Sequence, residues 1–165
     1  MDFGRWAERL MAMDDRAWAR HANPWSVYTR IPILPCLVLA IFSRVWLGWW
    51  ALVPVAALVA WVFLNPRAFP PPNATDSWAS RGTFGERLWL NRANVAIPTH
   101  HRIAAALLTA VQAVGLIPLV YGLIVLDPWA AVAGTAITLM AKMWFVDRMV
   151  WLYDEAGDGA FTNRS

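Results

Sequence analysis

Histidines, acids and arginines in an otherwise apolar chain are where chemistry would have to be done. There are three histidines, His21, His100 and His101, and the acids that could join them are Asp14, Glu86, Asp147 and Asp154. Two chemistries fit these residue types. The run His100-His101-Arg102 opens a helix, whose exposed N–H groups and dipole attract anions. With Arg67 or Arg30 close by, it would hold a phosphate or an anionic lipid headgroup. Alternatively, histidines joined by Asp14, Glu86 or Asp147 would bind a divalent metal and activate water for hydrolysis, with His21, His100 and Asp147 as a ligand set. Adjacent histidines point about 100° apart on a helix, which counts against His100 and His101 sharing one ion. The plainest alternative makes these residues interfacial anchors, with Asp147 paired to an arginine. No G-x-S-x-G, H-E-x-x-H, C-x-x-C or glycine-rich phosphate loop is present.

The elements that must position these residues are membrane helices. The 165 residues are 59% hydrophobic and 15% charged, and the mean hydropathy is +0.42. So little charge does not cover a water-soluble domain. Apolar blocks run over 31–64, 103–126 and 129–146, and the chain starts on a polar, amphipathic stretch rather than a short apolar h-region, so no cleavable signal peptide is expected. Twelve tryptophans, many near the block ends, suit the membrane–water interface. The single cysteine, Cys36, excludes an internal disulfide and is expected to be a small buried filler. The net charge of +3 comes from arginines flanking apolar blocks. This points to a cytoplasmic membrane face rather than nucleic acid.

The first block raises a question of its own, because Arg44 interrupts it. As a single helix, 31–64 would be about 51 Å long, far more than the roughly 30 Å of a hydrocarbon core. A turn at Gly48-Trp49-Trp50 divides it into 31–47 and 50–64 and puts Arg44 at a membrane edge, where its stem reaches the headgroups. Charge supports the division. Bases cluster before Ile31 (Arg5, Arg9, Arg16, Arg20, Arg30), in 65–102 (Arg67, Arg81, Arg87, Arg92, Arg102) and at the end (Lys142, Arg148, Arg164). Four spans place all three basic regions on the cytoplasmic side, whereas three spans put the first opposite the other two. The expected architecture is therefore all-α and a single domain: spans 31–47, 50–64, 103–126 and 129–146, with 1–30, 65–102 and 147–165 cytoplasmic in the plasma (inner) membrane.

Smaller signals locate the polar parts. Residues 3–21 form an amphipathic pattern, with Phe3, Trp6, Leu10, Met11 and Trp18 on one face and Asp14 and His21 intruding into it. Asn23-Pro24 ends that helix and "NPRAFPPP" (65–72) ends the second span. Thr83-Phe84-Gly85-Glu86 matches a capping box, which predicts a short helix over 84–92. Thr99 is the expected N-cap of the third span. Gln112 is expected to hydrogen-bond across helices and Pro118 to kink its helix. Ala130, Gly134 and Thr138 make a small-residue face for close packing. The last helix has no breaker before Gly157 and carries Asp147, Trp151 and Asp154 on one stripe of its extension.

The blocks "HANPWSVYTR", "SRVWLGWW", "NPRAFPPP", "GERLW", "PTHHR" and "WFVDRMVWLYDE" together resemble a family of small, uncharacterised prokaryotic integral membrane proteins, from about Trp6 to Glu155. The resemblance implies a multi-pass membrane protein and brings no activity, cofactor or ligand. The residues themselves leave three readings: binding of an anionic lipid headgroup at His100, His101, Arg102 and Arg67; a small metal-dependent membrane enzyme; or a subunit of a homo-oligomer or larger membrane complex.

Overall fold

A computed structural model describes residues 15–157, all helix and connection. Asp14 and the amphipathic pattern before it lie outside these residues. In chain order the helices are α1 (Asp15–His21), α2 (Pro24–Tyr28), α3 (Ile33–Phe42), α4 (Arg44–Leu47), a 3₁₀ turn (Gly48–Ala51), α5 (Leu52–Ala68), α6 (Trp78–Leu90), α7 (Thr99–Val125) and α8 (Pro128–Gly157). Three stretches are long and apolar enough to cross a membrane: Pro24–Ala68, Thr99–Val125 and Pro128–Gly157. Their outer surface is the reverse of a water-soluble protein's. Trp49 is 87% exposed, with Trp46, Trp50, Ile117, Ile124 and Trp129 also bare, while Ser26, Asn65, Ser80 and His101 are fully buried. An apolar exterior with the buried polar groups turned inward is what lipid contact selects.

The stretch Pro24–Ala68 is not straight. Gly48 takes φ +54°, a conformation that side chains resist, and α5 returns along α3. The two ends of the run then meet, with Ser26 Oγ donating to Asn65 Oδ1 at 2.8 Å. Arg44, just before the turn, donates from Nη2 to the Leu123 and Ile124 carbonyls at the end of α7. Helix C-termini carry unpaired carbonyls and partial negative charge. The charge in "IFSRVWLGWW" thus closes a neighbouring helix as well as sitting beside a turn. α7 itself ends on Leu126 in the left-handed region, φ 60°. Asp127 caps α8 by accepting from Trp129 N–H at 2.9 Å.

α7 and α8 form the most extensive pair, and small residues allow it. Gly134 lies against the backbone of Leu119, Gly122 against Ala131, and Gly115 against Thr138. The expected small-residue face of α8 is thereby used inside the chain, through Gly134 and Thr138. α3 docks on this pair through Val38, with Leu119 and Ala131. Gln112 departs from expectation: its Nε2 points to Leu108 O one turn back in α7, at 3.4 Å, rather than to another helix. Proline also behaves differently than expected at 65–68. α5 runs through Pro66 and stops at Ala68.

α6 lies across the extension of α8. It begins earlier than the capping-box pattern predicts, because Ser77 is the N-cap and accepts from Ser80 N–H at 3.1 Å. Thr83 falls inside the helix, its hydroxyl donating back to Ala79 O at 2.9 Å. The crossing is at Gly82 and Gly85. A Cβ at Gly85 would overlap the backbone carbonyl of Met149, and one at Gly82 would sit 2.8 Å from Val146 Cγ1. Gly85→Ala should therefore cost about 1–3 kcal/mol, the range of overpacked interiors. Gly157→Ala, with nothing within 4 Å, should cost nothing measurable. Thermal unfolding of the two variants in detergent compares them directly; equal midpoints would contradict the crossing.

Candidate functional site

Three polar assemblies gather at the end of the bundle where α1, α2, α6, the start of α7 and the extension of α8 lie. The first closes the base of the Pro24–Ala68 fold-back. Asn23-Pro24 ends α1 and starts α2, with Asn23 Oδ1 accepting from Trp25 N–H, so that His21, Ser26 and Thr29 all face inward. Arg30 Nη1 donates to His21 Nε2 at 2.9 Å. His21 Nδ1 is 2.9 Å from Ser26 Oγ, which itself donates to Asn65. Asn65 Nδ2 donates to Thr29 Oγ1 at 2.8 Å, and Thr29 donates to Trp25 O at 2.7 Å. These directions agree only if His21 is neutral with its proton on Nδ1. Burial first, and then the Arg30 charge, push the His21 pKa down to about 4, against a smaller opposing pull from Glu86. None of these residues has a buried side-chain nitrogen or oxygen left without a partner.

The second assembly joins α6 to α8. Glu86, which the sequence pattern offers as a cap, instead accepts from Lys142 Nζ. Burial would raise the Glu86 carboxyl, but the Lys142 charge and hydrogen bond, with the Arg30 charge, outweigh it and hold it below its usual value. Asp147 accepts from the Trp78 indole N–H at 3.0 Å rather than from an arginine. Arg81 pairs with Asp154 at 3.0 Å, and Phe84 stacks on Tyr153.

The third assembly is at the start of α7. His100 Nε2 is 3.3 Å from Glu155 Oε1 and His101 Nε2 is 3.2 Å from Glu155 Oε2. The two rings lie with centroids 4.2 Å apart and tilted 40°. The expectation that neighbouring histidines diverge fails here. Both rings swing to one carboxylate, supplied by the last turns of α8. Glu155 is the residue that sequence reasoning missed. Its position in "WLYDEAG" is visible, but only the length and direction of α8 put it beside His100 and His101.

The expected residues are therefore sorted as follows. His100 and His101 come together and face a carboxylate. Arg102 is exposed one residue on, and Arg67 lies instead at the end of α5, its Nη1 donating to Phe63 O at 3.1 Å. The set His21, His100 and Asp147 is not brought together, because each belongs to a different one of the three assemblies. Glu86, Asp147 and Asp154 are all engaged between α6 and α8.

The His21 assembly makes a signed expectation. A histidine whose folded pKa is depressed stabilises the fold fully above its ordinary value of 6.5 and loses that contribution as pH falls to about 4. The loss is on the order of 3 kcal/mol. Glu86, also depressed, adds to the loss at the acidic end. Arg30, a guanidinium, stays charged throughout. Melting in detergent at pH 7, 5.5 and 4.5 should show a steep fall that His21→Gln flattens. An equal pH slope in that variant would contradict the neutral, buried imidazole.

No curated protein and no solved structure is detectably similar to the chain. A family model does match, and it covers residues 5–165. The chain belongs to the family described as "Family of unknown function (DUF6653)".

Proposed function

We propose that this is a four-span integral membrane protein of the plasma (inner) membrane, with both termini on the cytoplasmic side, that binds anionic lipid headgroups at its basic inner end. The observation that carries this reading is the unequal number of arginines at the two ends. At the outer turn, Arg44 is spent on the carbonyls closing α7. At the inner end Arg16, Arg20, Arg67, Arg87 and Arg102 are exposed, with Arg20 reaching the Arg67 carbonyl at 3.4 Å. The positive-inside rule assigns such an end to the cytoplasm, and each arginine near an anionic leaflet adds about 1 kcal/mol of attraction.

The fold-back at Gly48 and the meeting of Ser26 with Asn65 support counting Pro24–Ala68 as two spans. Each arm is short for a bilayer, and the bare Trp46, Trp49 and Trp50 suit an interface that thins to meet it. Of the residues expected to hold a headgroup, His100 and His101 face the Glu155 carboxylate, which repels a phosphate. The headgroup contact therefore falls to Arg102 and Arg67. Native mass spectrometry of the purified protein, mixed with phosphatidylglycerol or phosphatidylcholine, tests this. The anionic lipid should be retained preferentially, and Arg67→Gln/Arg102→Gln should weaken it roughly 30-fold, from two charges at about 1 kcal/mol each. Equal retention of the two lipids, or no change in the variant, would sink the reading.

A further inference from the structure

We infer that His100, His101 and Glu155 form a binding site for one divalent transition-metal cation of the zinc class. One imidazole nitrogen from each histidine and one carboxylate oxygen all lie within 4.8 Å of one another. Around a tetrahedral zinc, with ligand distances of about 2.0–2.2 Å, neighbouring donor atoms stand roughly 3.3–3.5 Å apart. Each histidine nitrogen already stands near that spacing from one oxygen of the carboxylate, His100 at 3.3 Å from Oε1 and His101 at 3.2 Å from Oε2.

Spacing alone would suit an ordinary ion pair, and His101 decides between the two. Its side chain is fully buried, and neither Nδ1 nor Nε2 has a hydrogen-bond partner. Nε2 approaches the carboxylate without being aligned to donate to it. A buried imidazole with both nitrogens orphaned has lost its water without gaining a partner in exchange. Ligation through Nε2 relieves one of these losses. His100 and Glu155 are partly exposed, so the ion has an entry path and a position left open to water, as three-ligand sites have.

The charge balance also favours a cation over an anion. The immediate site offers one carboxylate and two imidazole rings. Arg148, whose charge acts on His101, is held over the Trp151 ring at 4.6 Å. Imidazole and carboxylate donors together suit zinc and its first-row neighbours better than calcium or magnesium. This site does not depend on the headgroup reading, since it uses none of the same arginines.

The test is zinc binding to the full-length protein in detergent, by isothermal titration with zinc chloride and by elemental analysis after dialysis. Cobalt(II) absorption serves as the spectroscopic readout of imidazole and carboxylate ligation. One equivalent is expected, weakened at least tenfold by His100→Ala and by Glu155→Gln, with Asp76→Asn as an unaffected acidic control. These two variants alter partly exposed side chains, so they remain informative if His101→Ala fails to fold. Absence of saturable binding at one equivalent, or binding unchanged in both His100→Ala and Glu155→Gln, would overturn the site.

Discussion

Asn65 ends a long apolar run with no atom open to solvent, and a buried carboxamide must find its donors and acceptors within the chain. It finds them on a segment 36 to 39 residues earlier, in Thr29 and Ser26. That requirement bends Pro24–Ala68 back on itself as firmly as the positive φ of Gly48 does at the other end. Apolar side chains could not do this, because in lipid one greasy helix face gains little by choosing another. The polar pairs supply direction where hydrophobic contact supplies none.

Once the base is closed, the remaining pieces have defined places. Ser80 donates to Ala22 O at 2.7 Å, which ties the start of α6 to the turn after α1. Asn23 donates to Pro70 O at 3.0 Å, which fixes the chain leaving α5. α6 can then cross the extension of α8 only where it has no side chain, at Gly82 and Gly85. The same extension carries Glu155 to His100 and His101. The buried polar groups come from the ends of the long apolar helices together with the short α1, α2 and α6.

The sequence carried the helical class, the apolar blocks, the break near Gly48 and the continuous helix to Gly157, because each depends on local composition or on one residue's backbone preference. It carried much less of what depends on where helices cross. Glu86 looked like a cap because Thr83 stands three residues before it, yet Ser77 starts the helix earlier and frees Glu86 to meet Lys142. Gln112 looked like an interhelical donor but turns back to its own helix. Arg44 could be placed at an edge by length alone. Its partners, Leu123 and Ile124, are some 80 residues away. Glu155 stayed hidden for a similar reason: 55 residues separate it from His100, and only the packing of α7 against α8 closes that gap.

The proposed four-span topology requires the chain to reverse at Gly48 and reach the far side of the membrane there. Single cysteines at Trp50, Asp127 and Asp76, introduced into a Cys36→Ala background, can be labelled in sealed vesicles of known orientation with a membrane-impermeant maleimide. The account predicts that positions 50 and 127 react from one side and position 76 from the other. If positions 50 and 76 react from the same side, or if position 50 is shielded from both sides while 127 reacts, the fold-back does not form a membrane hairpin.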